Sequence, residues 1–394
     1  MGAEALLRGG VIMSQFTVWS FPTRILFGAG VVEQTGAEAR RLGAARALVV
    51  TDKGVVRSGL LEPVAASLRK EGLEVAVFDD VLGNPIEKNV HDGVAAFRAA
   101  RADLVVALGG GSPLDVGKLV RLGVNHDRPL VDYDDATGGD RFITPDVPPM
   151  LAIPTTAGTG SEVGRSGVVT LDVNHRKTVI FSPHLLANAA LLDPVMTRSM
   201  PAFLTAATGF DALTHCIEAY VAKGDHPMAD GIALEGIRLA AAHLSRAVTH
   251  GDDLEARGGM MKAAMMGAVA FQKGLGACHS LAHPLSSECG LHHGLANALC
   301  LPPVVEFNVA AAAPRLARVA ALLGAPEDAA ACADAIRALR ARIGLAAGLE
   351  KAGVPRDKLD ALADLAAQDA CHTSNPRPCS RDDLRHLYEA SFAS

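Results

Sequence analysis

Asp211 and His215 stand four residues apart in FDALTHCIEAY, and His279 and His293 frame a second segment, HSLAHPLSSECGLHH. On a helix, residues four apart share a face, so Asp211 and His215 can grip one ion from adjacent turns. Three imidazoles and one carboxylate carry little total charge and include no thiolate, a donor set that suits Fe(II) or Zn(II) better than Mg(II) or Ca(II). Such a set also leaves room for a substrate oxygen, which makes it catalytic in character rather than structural. An Asp–His pair at helical spacing is common by itself. The second segment changes its weight: His279, His283, His292 and His293 fall within fifteen residues of a chain that has 14 histidines in all.

The elements that must position these side chains divide in two. From Arg46 to about Asp193 short apolar runs alternate with helical stretches, the signature of a parallel sheet with crossover helices. ALVVT (Ala47–Thr51), EVAVF (Glu74–Phe78), DLVVAL (Asp103–Leu108) and MLAIP (Met150–Pro154) read as buried strands, and LLEPVAASLRKEG and VHDGVAAFRAARA as the helices between them. After Asp193 and Pro194 strand-like runs vanish, Ala rises, and long amphipathic segments such as FLTAATGFDALTHCIEAYVA follow. The expected architecture is an α/β dinucleotide-binding domain with a Rossmann-like parallel sheet over residues 14–197 and an all-helical metal-binding domain over 198–394. The link lies near LLDPVMTRSMP, bracketed by Pro194 and Pro201. No internal repeat suggests a solenoid.

GGGSPLDVGK (Gly109–Lys118) follows a strand and opens a helix, with Ser112 placed to cap it and Pro113 in the first turn, where a missing N–H costs little. Gly109, Gly110 and Gly111 let backbone N–H groups approach a diphosphate at a helix N-terminus. The motif is not GxGxxG, so by itself it is either a tight turn or a cradle. PTTAGTGSE (Pro154–Glu162) adds hydroxyls for the same crevice at the strand C-termini. Asp52, at the end of the first strand of the alternating region, can accept hydrogen bonds from an adenosine ribose and repel a 2'-phosphate, or cap the helix that begins at Lys53.

Composition narrows the function classes. At 394 residues the chain is long enough for two cores, and 49 % hydrophobic with 4 % aromatic content fits a helix-rich α/β protein. A net charge of -6 argues against nucleic acid or an anionic membrane surface and leaves small solutes as partners. The seven cysteines, all in the second half, form no disulfide framework and point to a reducing, cytoplasmic setting. No apolar run reaches the roughly 20 residues of a membrane span. MGAEALLRGGVIMSQF is too weak for a secretory signal, and Met13 is an alternative start.

FDALTH, HSLAHP followed by HHG, GGGSPLDVGK and PTTAGTGSE together resemble the iron-containing, or group III, alcohol dehydrogenases, from FPTRILFGAG (Phe21–Gly30) to NPRP (Asn375–Pro378). Within that family the texture of TDKGVV, AFQKGLGACHSLAHPL and CHTSNP is most similar to 4-hydroxybutyrate dehydrogenases. The resemblance implies a dehydroquinate synthase-like architecture and hydride transfer between an alcohol and NAD, with Asp211, His215, His279 and His293 on the metal. His283 matches the histidine held near substrate and cofactor, a natural proton relay. The resemblance carries over Asp52, Asn84, Gly109, Gly110, Gly111, Ser112, Asp115, Thr155, Thr156, Ser161 and Lys177 as cofactor contacts. It also suggests a homodimer, with TVWSFPTRILFG pairing edge to edge across it. Ser286 departs from the family, which usually has glycine there, and His292 stands where many relatives carry proline. Lys273 and Arg165 are candidate anchors for a substrate carboxylate, against a solvated surface lysine in the case of Lys273. The rival readings are a general short-chain alcohol, diol or lactaldehyde dehydrogenase, a sugar-phosphate synthase of the same architecture, and a nucleotide-binding module without catalysis.

Overall fold

The computed structural model describes residue 21 and residues 23–173 and 176–392. Eight strands occur among these residues: β1 Arg24–Phe27, β2 Arg46–Val50, β3 Glu74–Phe78, β4 Leu104–Gly109, β5 Met150–Pro154, β6 Ser166–Thr170, β7 Lys177–Phe181 and β8 Ala189–Leu192. Six of them form one parallel sheet in the order β1-β8-β5-β4-β2-β3, and β6 and β7 make a separate antiparallel pair. The helices of this half are α1 Thr35–Arg41, α2 Lys53–Arg57, α3 Leu61–Lys70, α4 Glu87–Ala99 and α5 Gly111–Asn125. β4 and β5 are buried at every position. The reason is coverage of both faces: Val64 and Leu68 of α3 pack with Val106 and Ile153 on one side, and Val90, Val94, Leu119 and Val120 of α4 and α5 pack with Val105 and Ala107 on the other. Strands buried twice must read as continuous apolar runs.

The four expected strands of the alternating region correspond to β2 through β5, and β1 falls within the strand-like TVWSFPTRILFG. β8 and the β6–β7 pair are not among the expected strands. β6 and β7 alternate buried and more open positions and carry Ser, Thr and Lys, so they lack a continuous apolar run. Of the segment proposed to pair across a dimer, residues 17–20 and 22 lie outside the described residues; the rest contains β1, an edge of the sheet.

Among the described residues no strand follows Leu192. The chain continues as α6 Ala202–Val221, α7 Pro227–Thr249, α8 Leu254–Ala270, α9 Ala277–Cys289, α10 His293–Leu322, α11 Ala329–Arg342, α12 Leu359–Gln368 and α13 Arg381–Phe392. α7 begins with Pro227 in its first turn and α8 is capped by Asp253, whose carboxylate accepts from Ala256 N at 3.0 Å. α10 is long and apolar enough to cross a bilayer by length and composition, but 72 % of its most apolar window is buried inside the protein, so that apolarity serves the core. It kinks at Ala312, two residues before Pro314, whose ring and missing N–H break the ladder. Gly290, at φ 65°, ends α9 in the left-handed conformation and turns the chain toward α10.

Candidate active site

α6, α9 and α10 converge on one point. α6 supplies Asp211 and His215, α9 supplies His279 and α10 opens with His293. The donor atoms of Asp211, His215 and His279 all lie within 4.8 Å of one another. Asp211 Oδ1 is the hub: His293 Nε2 is 3.5 Å from it, and the Nε2 atoms of His215 and His279 are each 3.8 Å away. A tetrahedral ion with bonds of about 2.1 Å separates its donors by roughly 3.4 Å, so the spacing suits a single first-row divalent ion. Three imidazole lone pairs aimed at a carboxylate oxygen repel one another unless a cation or shared protons lie between them. The residues present therefore fit Fe(II) or Zn(II).

Glu218 and Asn297 complete this cage, and neither is among the site residues expected from the sequence. Glu218, buried on the same stripe of α6 as Asp211 and His215, meets His279 Nδ1 with its Oε2 and accepts from Cys278 N at 2.7 Å. It thereby fixes the ring so that Nε2 faces the hub. Asn297, one turn into α10 from His293, donates to Asp211 Oδ1 at 2.8 Å. Burial penalises a charged His279, but Glu218 and Asp211 outweigh it and push its pKa up to about 9. Burial dominates at His215, which falls to about 4, and at His293, which falls well below its ordinary value. Burial alone would raise Asp211, yet the surrounding imidazoles hold it well below the usual carboxylate range. Two close approaches set the helix positions. A Cβ on Gly294 would lie 2.0 Å from Ala207 O on α6, and a Cβ on Gly276 would lie 2.6 Å from Glu218 Oε1.

His283, one turn beyond His279 on α9, stacks on His293 with ring centroids 5.3 Å apart and planes at 13°. Its Nδ1 meets Asp369 Oδ2 at 2.7 Å. Cys371 lies beside this pair, its sulfur within 4.8 Å of both donor atoms.

The nucleotide candidates gather at the C-terminal ends of β2 to β5. Thr155 N donates to Gly109 O at 2.9 Å, so the GGGS and PTTAGTGSE loops meet on neighbouring strands. Asn84 belongs to the loop after β3, which Ser112 holds by donating its hydroxyl to Gly83 O at 2.7 Å. That corrects the expectation for Ser112: the N-cap of α5 is Gly110, and no side chain caps it. Asp52 does cap α2, its Oδ1 accepting from Gly54 N at 2.7 Å and Val55 N at 2.9 Å. Ser161 donates to Asp115 Oδ1 at 2.5 Å and accepts from the buried Lys118 ammonium at 2.7 Å. Burial lowers Lys118 and pushes the neighbouring buried Glu162 up to about 7. Lys177, at the exposed start of β7, has its pKa lowered by partial desolvation, while the negative charges of Asp115 and Asp211 act to raise it.

The two substrate anchors fare differently. Lys273 is neither a solvated lysine nor free for a carboxylate: its side chain is 1 % exposed, pairs with Asp230 at 2.5 Å and donates to Tyr220 O at 3.0 Å. Arg165 lies over the Phe181 ring at 5.1 Å, on the strand that carries Lys177. Ser286 is seven residues from His279 and three from His283, on their stripe of α9, and its hydroxyl is buried without a hydrogen-bond partner. His292 meets Phe203 edge-on at 6.0 Å.

Comparison with known proteins places these features in a family. Residues 22–194 match the family described as iron-containing alcohol dehydrogenase, and residues 205–392 match the C-terminal part of the Fe-containing alcohol dehydrogenase family. A 4-hydroxybutyrate dehydrogenase of Cupriavidus necator is 42 % identical over 379 residues, covering 94 % of this chain and 98 % of that protein. The crystal structure of a 1,3-propanediol oxidoreductase superposes with a TM-score of 0.92 at 36 % identity, covering 96 % of this chain and all of that one. A sulfoacetaldehyde reductase from Bifidobacterium kashiwanohense, solved in complex with NAD+, gives 0.87 at 31 %, over 96 % of this chain and all of that one.

Proposed function

From a chain that belongs to the iron-containing alcohol dehydrogenase family, we propose a metal-dependent, NAD-linked oxidoreductase that interconverts a small primary alcohol and its aldehyde. Among substrates, 4-hydroxybutyrate and succinate semialdehyde come first, because a relative of that name is 42 % identical. The observation that carries the reading is the meeting of Asp211, His215, His279 and His293 beside His283.

Asp211, His215, His279 and His293 would hold Fe(II), with Zn(II) compatible with the same donors. When bound, the cation supplies Lewis acidity that favours loss of the alcohol proton, and the nicotinamide supplies the hydride acceptor. The backbone N–H groups of Gly110, Gly111 and Ser112 at the start of α5 bind the diphosphate. Asn84, Thr155 and Thr156 line the same crevice, and Asp52 takes the ribose. Asp115, tied to Ser161, orients the nicotinamide amide, and Lys177 donates to a ribose hydroxyl. His283 receives the proton of the substrate hydroxyl and returns it in the reverse reaction. Arg165 is the cation left to meet a substrate carboxylate. The cytoplasm suits seven free cysteines, and β1, an edge strand of the sheet among the described residues, supports a homodimer.

The test is a panel of 4-hydroxybutyrate, 1,4-butanediol and 1-butanol with NAD on Fe(II)-reconstituted protein, read as NADH formation. Turnover of at least one is expected, and Arg165→Met should lower kcat/KM for the hydroxy acid by about tenfold or more while sparing the two uncharged alcohols. No NADH from any of them defeats the proposal. An equal loss on all three removes Arg165 as the anchor.

A further inference from the structure

Asp369 lies 86 residues from His283 in sequence, yet its Oδ2 meets His283 Nδ1 at 2.7 Å. Its other oxygen accepts from Ser280 Oγ and from Cys371 N, each at 2.8 Å. Ser280 Oγ in turn accepts from His372 N at 2.8 Å. The carboxylate is thus fixed by α9 and by the turn that follows α12, and it has little freedom to swing away. An ionised carboxylate can only accept, so the Nδ1 that meets it carries a hydrogen. A neutral imidazole with Nδ1 protonated keeps its lone pair on Nε2. The His283 side chain retains 35 % of its exposure and lies flat against His293. The imidazole of the pair therefore keeps partial access to solvent and lies next to the donor cage.

We propose that Asp369 is a positioning residue for the reaction, holding His283 in the tautomer and ring orientation that leave Nε2 free to take the proton of the substrate hydroxyl. This rests on the proposed function and deepens it. In the oxidative direction the substrate O–H bond breaks and an Nε2–H bond forms, while the carbinol hydride passes to the nicotinamide. His283 becomes an imidazolium facing Asp369 and then releases its proton to water. In the reverse direction it returns that proton to the oxygen. Ser280 and the Cys371 N–H keep Asp369 aimed.

A structural alternative makes a different forecast. Asp369 also caps the turn Ala370–Ser374, so its loss could act through packing alone. Asp369→Asn separates the two, because the amide oxygen can still accept from Cys371 N and Ser280 while its NH2 group faces His283 Nδ1. That favours the wrong tautomer. The experiment compares the metal-loaded full chain with Asp369→Asn, His283→Ala and the double variant, in kcat, KM for the alcohol, metal content and NADH binding. Asp369→Asn should lower kcat by about 10- to 100-fold with KM and metal content nearly unchanged. On the His283→Ala background the same change should cost no more than about twofold, since its route of action is already gone. Full kcat in Asp369→Asn, or an equal decrement on both backgrounds, overturns the inference. Full kcat in His283→Ala removes the proton-relay reading of His283 and Asp369's role with it; intact metal and NADH binding would then leave the rest of the proposed function standing.

Discussion

Glu218→Gln probes how far the cage depends on a residue that does not face its centre. The carboxylate is buried, accepts from Cys278 N at 2.7 Å and meets His279 Nδ1. Glutamine has nearly the same volume, and the space is tight, since a Cβ on Gly276 would already sit 2.6 Å from Oε1. The substitution therefore keeps the packing and the Cys278 hydrogen bond and removes the charge behind the imidazole. Losing such a partner loosens the ring and makes its Nε2 a poorer donor, which typically weakens metal binding by about 10- to 100-fold, or roughly 1.4 to 2.8 kcal/mol. Proton competition acts the other way. Against the cost of burial, Glu218 and Asp211 together raise His279 to about 9, so in the parent a proton competes with the ion at neutral pH, and the variant, which keeps Asp211, relieves part of that competition. The full loss of affinity should appear above about pH 9, where the parent ring is already neutral, and shrink toward neutral pH. The assay is a chelator titration of metal-loaded parent and variant at both pH values, with NADH binding as a control on the first half of the chain. A dissociation constant within about twofold of the parent at the higher pH would refute the coupling.

Three further outcomes follow from geometry already described. Asp52→Asn should relax the preference for NAD over NADP while leaving stability nearly unchanged, because the amide oxygen still caps α2; Asp52→Gly should relax it too, with the cap lost, and kcat/KM ratios plus melting temperatures separate the two effects. Lys273→Met should destabilise the fold by about 1 to 3 kcal/mol in a denaturant titration and affect charged and uncharged substrates alike, since Asp230 and Tyr220 O both keep Arg315 as a partner. Selective loss of hydroxy-acid turnover would reinstate it as an anchor. Glu162 has its pKa raised from 4.5 to about 7, so the folded state favours the neutral acid: its contribution is fully present below about pH 4.5 and is lost as the pH rises through 7. Glu162→Gln should flatten that part of the stability profile, by on the order of 3 kcal/mol, and an unchanged profile would show that the acid does not titrate there.

Legibility in the sequence tracked locality. β2, β4 and β5 could be read because strands covered on both faces are almost continuously apolar, and the edge strand β3 because VAVF is an apolar run although only Phe78 is buried, whereas β6 and β7 offered no such run. Asp211 and His215 could be read from one helical turn, and the same periodicity reaches Glu218, seven residues past Asp211, so that residue was within range of a longer look at the stripe. Asp369 was not: nothing local marks a carboxylate that meets its histidine 86 residues away. Lys273 misled for the same reason, because its counterion, Asp230, lies 43 residues upstream and a lone cation beside a site invites a substrate.

The side-chain-free contacts at Gly276 and Gly294 enlarge the target that mutation can hit. An added methyl at Gly294 starts 2.0 Å from Ala207 O, and at least 1 Å of movement is needed before it reaches even the 3.0 Å limit that real Cβ contacts observe. Metal–donor distances tolerate about 0.2 Å. His293 is the next residue along the chain, so the shift is transmitted to a donor with almost no lever arm to absorb it. A residue that contributes no atom to the chemistry is thus as intolerant of change as one that does, and the set of positions at which a single substitution silences this protein is wider than the set that touches its substrate.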